Sequence, residues 1–499
     1  MRTRVIAMAA LVSLVTVACG ASDAGVIATR SRSGGDAGGG LFTTDSTPDN
    51  STPAPERDYP VLDGVVDFGE AGPQHPLYDG YLTAAFGDIQ NFWSEAFPAT
   101  YNAPWEPLSG GIFAAYPERQ SPIPGCGTDS SSYEDVQAGT AFYCIVGDFM
   151  AYDDYEGLPG LVDLLGKEAV AVVLAHEFGH AIQARANEWD NIGVLKEQQA
   201  DCFAGAWTAH VASGGSDLIT FDDAAIRAGL VAMIYVRDPV EAGGLASEDA
   251  HGTGFDRVGA FQDGFEGGPQ RCATFFTDNR ISTMVNIEFD ASDPNAGNLP
   301  LDDPAPDPTN GPVDIVTLIP QGLDQFWVAL AEANGVPFTA PTFQRFPGAG
   351  PFPECDGVDP ASWTNNVVFC PGDNTIYWDE DFALAMSTDP LTGDMSVGYL
   401  FSDAYSDAIQ TALRSARTGE PRALMNDCLT GAWVASTINP PEDAVLQLSA
   451  GDLDEAIVTA IARADESTDT NVNGSAFEKI DAFRTGVLGG LNVCRNEIG

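Results

Sequence analysis

The residues best suited to chemistry in this chain are His176 and His180, in the run His176-Glu177-Phe178-Gly179-His180, and Glu197, in Glu197-Gln198-Gln199-Ala200-Asp201. On a helix, histidines four residues apart project from one face. Both imidazoles can then reach one tetrahedral zinc, with Glu177 angled toward its open position. Glu197 adds a third ligand and leaves a fourth place for water. That is the pattern of a catalytic site, because structural zinc sites are closed and usually rich in cysteine. Glu177 then serves as the base that takes a proton from the attacking water. Asp201, one turn beyond Glu197, can hold a ligand imidazole from behind.

Two helices must position these groups. Asp163 to Glu188 reads as one helix, with Leu164, Leu165, Ala169, Val170, Val172, Val173 and Leu174 on a broad buried face and no proline. A second runs from about Val194 to Val211. Strand candidates are Gly111 to Tyr116 and Thr140 to Tyr152, mirrored around Val367 to Trp378. The fold class expected is α+β, mainly helical around the metal site with a small sheet. His251 is a candidate helper for the oxyanion, or alternatively a capping residue ahead of a helix that starts near Gly252-Thr253. His75 and His210 belong to no constellation, and Phe92-Trp93 and Trp207 read as core aromatics.

HEFGHAIQ, EQQADCFAGAW and the segment from His251 to Cys272 together resemble the bacterial neutral zinc metallopeptidase family, whose members look like gluzincins. The resemblance implies a single Zn2+ held by His176, His180 and Glu197, with Glu177 as catalytic base. Ala181 stands where that family often has another histidine. By analogy with zincins, an edge strand beside the active helix aligns substrate backbone, and Ala141 to Met150 is the candidate.

The sequence also matches itself. Asp201-Cys202-Phe203-Ala204-Gly205-Ala206-Trp207 returns as Asp427-Cys428-Leu429-Thr430-Gly431-Ala432-Trp433, and His251 to Cys272 aligns without gaps on Asn473 to Cys494. The second copy sets Asp403 over His176, Ala404 over Glu177, Asp407 over His180 and Ala423 over Glu197. No zinc ligand survives there. The expected organisation is a leader at 1–19, a Gly/Ser/Thr/Pro tether at 20–60 and a metallopeptidase-like domain at 61–289. An acidic Pro-rich linker at 290–313 and a degenerate domain at 314–499 complete it.

Eight of nine cysteines occupy matching places in the two copies. They are expected to pair as Cys126–Cys144, Cys202–Cys272, Cys355–Cys370 and Cys428–Cys494, which requires an oxidising compartment; buried free thiols are the alternative. The ninth, Cys19, follows a basic start and a short apolar run, in Thr16-Val17-Ala18-Cys19-Gly20, which resembles a bacterial lipobox. The expected product is an exported cell-surface lipoprotein, or a secreted soluble protein if cleavage falls nearby. A membrane is met only through that anchor. With 72 acidic residues against 22 basic ones and a formal charge of −50, nucleic acid is excluded as an electrostatic partner and cationic peptides are favoured.

Three function classes fit. The first is an exported zinc endopeptidase acting on a peptide or protein substrate. The second is a zinc amide hydrolase acting on cell-wall peptide. The third is a binding or scaffold protein whose metal site is occluded.

Overall fold

A computed structural model of the chain describes residues 59–497, except 71–79, 236–251, 286–296 and 466–471 and a scatter of gaps one to three residues long. Cys19, His75, His251, the expected leader and almost all of the tether lie outside the described residues. The fold is α+β and mostly helical. Among the described residues no helix is long and apolar enough to cross a membrane.

In the first half, α1 (Tyr81–Tyr101) leads to β1 (Gly111–Ala115), the short strands β2 (Ile123–Pro124) and β3 (Ser130–Ser131), and helix α2 (Tyr133–Gln137). Strands β4 (Ala141–Cys144) and β5 (Phe149–Asp153) follow. Helices α3 (Gly157–Leu165), α4 (Lys167–Ala186), α5 (Gly193–Ala212), α6 (Asp223–Tyr235) and α7 (Gly254–Cys272) complete this half. The second half runs through α8 (Ile315–Ala333), β6 (Thr342–Phe346), β7 (Val367–Cys370) and β8 (Thr375–Asp379). It ends in α9 (Glu380–Thr388), α10 (Asp394–Ala412), α11 (Glu420–Ile438), α12 (Asp452–Ala462) and α13 (Ala476–Glu497). Apart from the segment from β2 to α2, its element order is that of the first half.

The expected single strand from Thr140 to Tyr152 is instead a hairpin. β4 and β5 pair antiparallel, with Ala141 opposite Tyr152, and the chain turns at Gly147-Asp148, where Asp148 has φ 49°. β1 pairs parallel with β5, so the sheet order is β1-β5-β4 and β4 is an edge strand. The stretch from Val367 to Trp378 turns likewise, at Asn374 with φ 54°, and gives the order β6-β8-β7. Aspartate and asparagine tolerate this left-handed backbone better than most residues.

The expected helix from Asp163 to Glu188 is also corrected. Gly166, at φ 93°, breaks it into α3 and α4. The break turns Leu164 outward, 48% exposed, although its spacing had placed it on the buried face. From Ala169 to Gln183, every residue of α4 except Glu177 is buried. A helix that is apolar nearly all round belongs in the middle of a core.

The hydrophobic core runs without interruption through both halves. Phe255 packs on Phe483 and Phe261 on Phe477, each at 6.3 Å between ring centroids. In the self-alignment Phe255 corresponds to Phe477 and Phe261 to Phe483, so the partners are exchanged as they are across a two-fold contact. Part of the expected linker is built into the second half: Leu301 is buried and Ile315 N–H donates to the Pro300 carbonyl at 3.0 Å. All four expected disulfides are formed, with Cα atoms 5.5 to 5.8 Å apart.

Candidate metal centre

α4 and α5 carry the cluster, and Gly179 sets how closely they cross. A Cβ at Gly179 would lie 2.9 Å from the Ala200 Cα, so only glycine lets Glu197 come within reach of both histidines. His176 Nε2 lies 3.2 Å from Glu197 Oε2, and His180 Nε2 lies 3.5 Å from Glu197 Oε1. The two rings stand nearly perpendicular with centroids 5.0 Å apart. One donor atom from each of the three residues falls within 4.8 Å of the others. Both histidines are buried, whereas Glu177 and Glu197 keep partial solvent access.

Each imidazole is braced through its other nitrogen. His176 Nδ1 lies 2.7 Å from Asp201 Oδ1, the place expected for Asp201. His180 Nδ1 lies 2.9 Å from Gln183 Oε1, and the Gln183 amide in turn donates to the Lys196 carbonyl at 2.6 Å. Such bracing fixes ring orientation and leaves Nε2 facing the centre. Behind Asp201 stands Arg257 of α7, 1% exposed, which donates to Oδ2 at 2.9 Å and to Oδ1 at 2.7 Å. Sequence reading missed Gln183 and Arg257. Gln183 is visible in HEFGHAIQ, and Arg257 has a basic counterpart at Lys479 in the second half.

α7 is held against α5 by backbone contact. A Cβ on Gly264 would collide with the Cys202 carbonyl, and the Cys202–Cys272 disulfide closes the same pair of helices. Gly486 meets the Cys428 carbonyl in the same way beside Cys428–Cys494. α7 begins at Thr253, whose side chain accepts from the Asp256 N–H at 3.1 Å, so a helix does start where Gly252-Thr253 suggested.

The electrostatics demand positive charge at the centre. Burial alone would favour a neutral His176, yet Asp201 and Glu197 outweigh it and lift its pKa to about 10. Burial would likewise raise the Asp201 carboxyl, but Arg257 and His176 hold it below the ordinary aspartate range. A proton or a metal ion at Nε2 would each supply positive charge there.

His210 is not part of the site. It packs half-buried on Phe92, with ring centroids 5.0 Å apart. Trp93 and Trp207 are fully buried, and Trp207 Nε1 donates to Asp88 at 2.8 Å, in keeping with core roles. His251, the expected helper, lies outside the described residues. Trp189 stands edge-on to both His180 and Tyr143, linking the site to edge strand β4.

The corresponding place in the second half is a cavity of about 220 Å3 lined by Asp403, Asp407, Arg422, Arg463 and Lys479, among others. Lys479 pairs with Asp427 at 2.8 Å, as Arg257 pairs with Asp201, while Asp407 is engaged by Arg422 at 2.5 Å. Burial raises Asp403 to about 7; Lys479 opposes the rise, and Asp427 and Asp407 add to it. An acid whose folded pKa is raised gives stability that is lost as pH climbs through that value. Asp403→Asn is therefore expected to match wild type near pH 4 and to exceed it by about 1–3 kcal/mol at pH 8, measured by urea unfolding at both pH values.

Residues 85–275 match the family described as "Putative neutral zinc metallopeptidase". The chain is similar to Uncharacterized protein YpfJ of Escherichia coli (strain K12), 29% identical over 154 residues, which are 27% of this chain and 53% of that protein. It is similar also to Uncharacterized protein Rv2575 of Mycobacterium tuberculosis (strain H37Rv), 30% identical over 200 residues, which are 35% of this chain and 67% of that protein. The chain thus spans about half the length of the Escherichia coli relative. No solved structure matches it.

Proposed function

We propose that this chain, which belongs to the neutral zinc metallopeptidase family, hydrolyses peptide bonds at the centre formed by His176, His180, Glu197 and Glu177. The observation that carries the reading is the convergence of two braced imidazoles and one carboxylate in a pocket that calls for positive charge. Two nitrogens and one oxygen with a place left for solvent suit zinc, and His176 Nε2, His180 Nε2 and the Glu197 carboxylate would hold it. Zinc held there supplies Lewis acidity, which acidifies water and polarises a carbonyl.

The chain's own residues do the remaining work. Glu177 takes the proton of the attacking water and passes it to the leaving amine. Asp201, kept ionised by Arg257, and Gln183 hold the two rings in place so that neither swings during turnover. Edge strand β4 pairs with an extended substrate, in a zincin-like arrangement of strand and active helix. The substrate is a peptide or protein segment, cationic by preference, since the chain carries a charge of −50.

The two halves are read as copies of one unit, supported by their shared element order, glycine contacts and paired disulfides. The second copy, without zinc ligands, shares its core with the first through Phe477 and Phe483 and either covers the cleft, holds substrate or stabilises the pair. Four disulfides fit an oxidising compartment, and export by the N-terminal leader with lipid at Cys19 accounts for the unpaired ninth cysteine. The test is elemental analysis together with casein hydrolysis on wild type and His180→Ala. Wild type is expected to carry one zinc and to cleave, and His180→Ala to lose both. A wild type without zinc, or a zinc-loaded wild type that leaves casein and other unfolded proteins intact, overturns the reading.

A further inference from the structure

A second group of metal-ligating side chains belongs to the second half alone. Asp394 opens α10, Asp452 and Glu455 lie in the first turn of α12, and one carboxylate oxygen of each falls within 4.8 Å of the others. The three residues are 5%, 5% and 7% exposed. Among the described residues none of them forms an ion pair. The offset that sets Asp403 on His176 sets Asp394 on Lys167, so the first half has no such acid there.

Each acid has one oxygen fixed by a backbone N–H. Leu299 donates to Asp394 Oδ2 at 2.7 Å, Ser449 to Asp452 Oδ2 at 2.8 Å and Met395 to Glu455 Oε2 at 2.9 Å. The second oxygens are held unequally. The Ser449 hydroxyl donates to Asp452 Oδ1, and Asn298 Nδ2 makes only a long 3.3 Å contact with Glu455 Oε1. No N–H or hydroxyl donates to the buried Asp394 Oδ1, and the side chain that Asp394 meets is the Glu455 carboxyl, which it can face only with a proton or a cation between them. A buried carboxylate oxygen left without a donor is costly, and a cation beside it removes the cost.

The surroundings have room for a ligand. Asp394 and Asp452 line a cavity of about 110 Å3, together with Gly297 and Leu299. Gly393 leaves no space for a side chain, since a Cβ there would collide with the Glu455 carboxylate. Burial raises all three carboxyls above their ordinary range, and their mutual repulsion raises Asp452 and Glu455 further.

We propose that Asp394, Asp452 and Glu455 form a binding site for one hard divalent cation, calcium by its chemistry. All three donors are oxygens; the Asn298 amide oxygen, if the amide is turned, and waters in the cavity complete the six or more ligands that calcium takes. The ion fixes the first turn of α12. That turn also carries Asp454, whose Oδ1 accepts from the Phe255 N–H at 2.8 Å and so caps α7, the helix of Arg257. Calcium thereby braces the contact between the halves, whatever the first half does with zinc.

The experiment is isothermal titration of calcium chloride into the full chain, freed of calcium on a chelating resin and reloaded with zinc, with melting followed in parallel. One calcium is expected, with a Kd on the order of 1 mM or tighter. Melting should rise by about 3 °C at a hundredfold excess over Kd. Asp394→Asn and Asp452→Asn should weaken binding on the order of tenfold or more. Each should fold at least as well as wild type without calcium, since each removes a buried charge. His180→Ala should bind calcium as wild type does, which separates this site from the zinc centre. No heat and no melting shift up to 10 mM calcium, a concentration about ten times that Kd, or unchanged affinity in both Asn variants, overturns the proposal.

Discussion

Glu177→Gln is expected to keep its zinc and to lose casein cleavage on the order of 10³- to 10⁴-fold. The argument rests on where the side chain stands. Its neighbour His176 faces Glu197 at 3.2 Å, and Glu177 is the one residue between Ala169 and Gln183 on α4 that reaches solvent. A helical step of about 100° turns it from the direction of His176 toward the open side of the site, where it can take a proton from the attacking water. Glutamine keeps the shape and the helix but cannot accept a proton at neutral pH. Metal content should therefore remain at one per chain, unlike His180→Ala. Zinc analysis and initial rates on the same preparations decide the matter. Wild-type rates in Glu177→Gln would remove the base, and loss of zinc would mean that Glu177 binds the metal instead.

The contrast between what was readable and what was not follows from the range of the forces involved. His176, His180 and Glu197 were legible because helical periodicity fixes side-chain direction over four residues, and Asp201 because it lies one turn from Glu197. The disulfides were legible because each pair in the first half has a matching pair in the second. The break at Gly166 was not, because a glycine inside an apolar run reads as tolerated until its φ of 93° is seen. The two hairpins were missed for a related reason: Asp148 and Asn374 take left-handed turns inside stretches whose composition is that of strands. Nor could spacing show that Phe255 meets Phe483, or that Asp454 caps α7 from the other half. Those contacts join residues some two hundred positions apart, where no local period reaches.

Arg257→Met is expected to destabilise the chain by about 3–5 kcal/mol and to weaken zinc binding about 10- to 100-fold, although Arg257 contacts no substrate. Asp201 is wholly buried, and Arg257 supplies the positive charge that keeps it ionised in competition with its own burial. Without the guanidinium, Asp201 must take up a proton or remain as an unpaired buried charge, and either change loosens its hold on His176 Nδ1. Arg257→Lys separates charge from geometry, because in the second half Lys479 already serves Asp427 from the corresponding position, at 2.8 and 2.9 Å. Lysine should restore most of the stability. It should restore less of the zinc affinity, since an ammonium meets both carboxylate oxygens from a single atom, whereas the two nitrogens of the planar guanidinium also fix the plane of the Asp201 carboxylate. Urea unfolding and zinc competition with a chromophoric chelator read the two quantities separately. If Arg257→Met unfolds with wild type and binds zinc as tightly, the chain from Arg257 through Asp201 to His176 is packing alone.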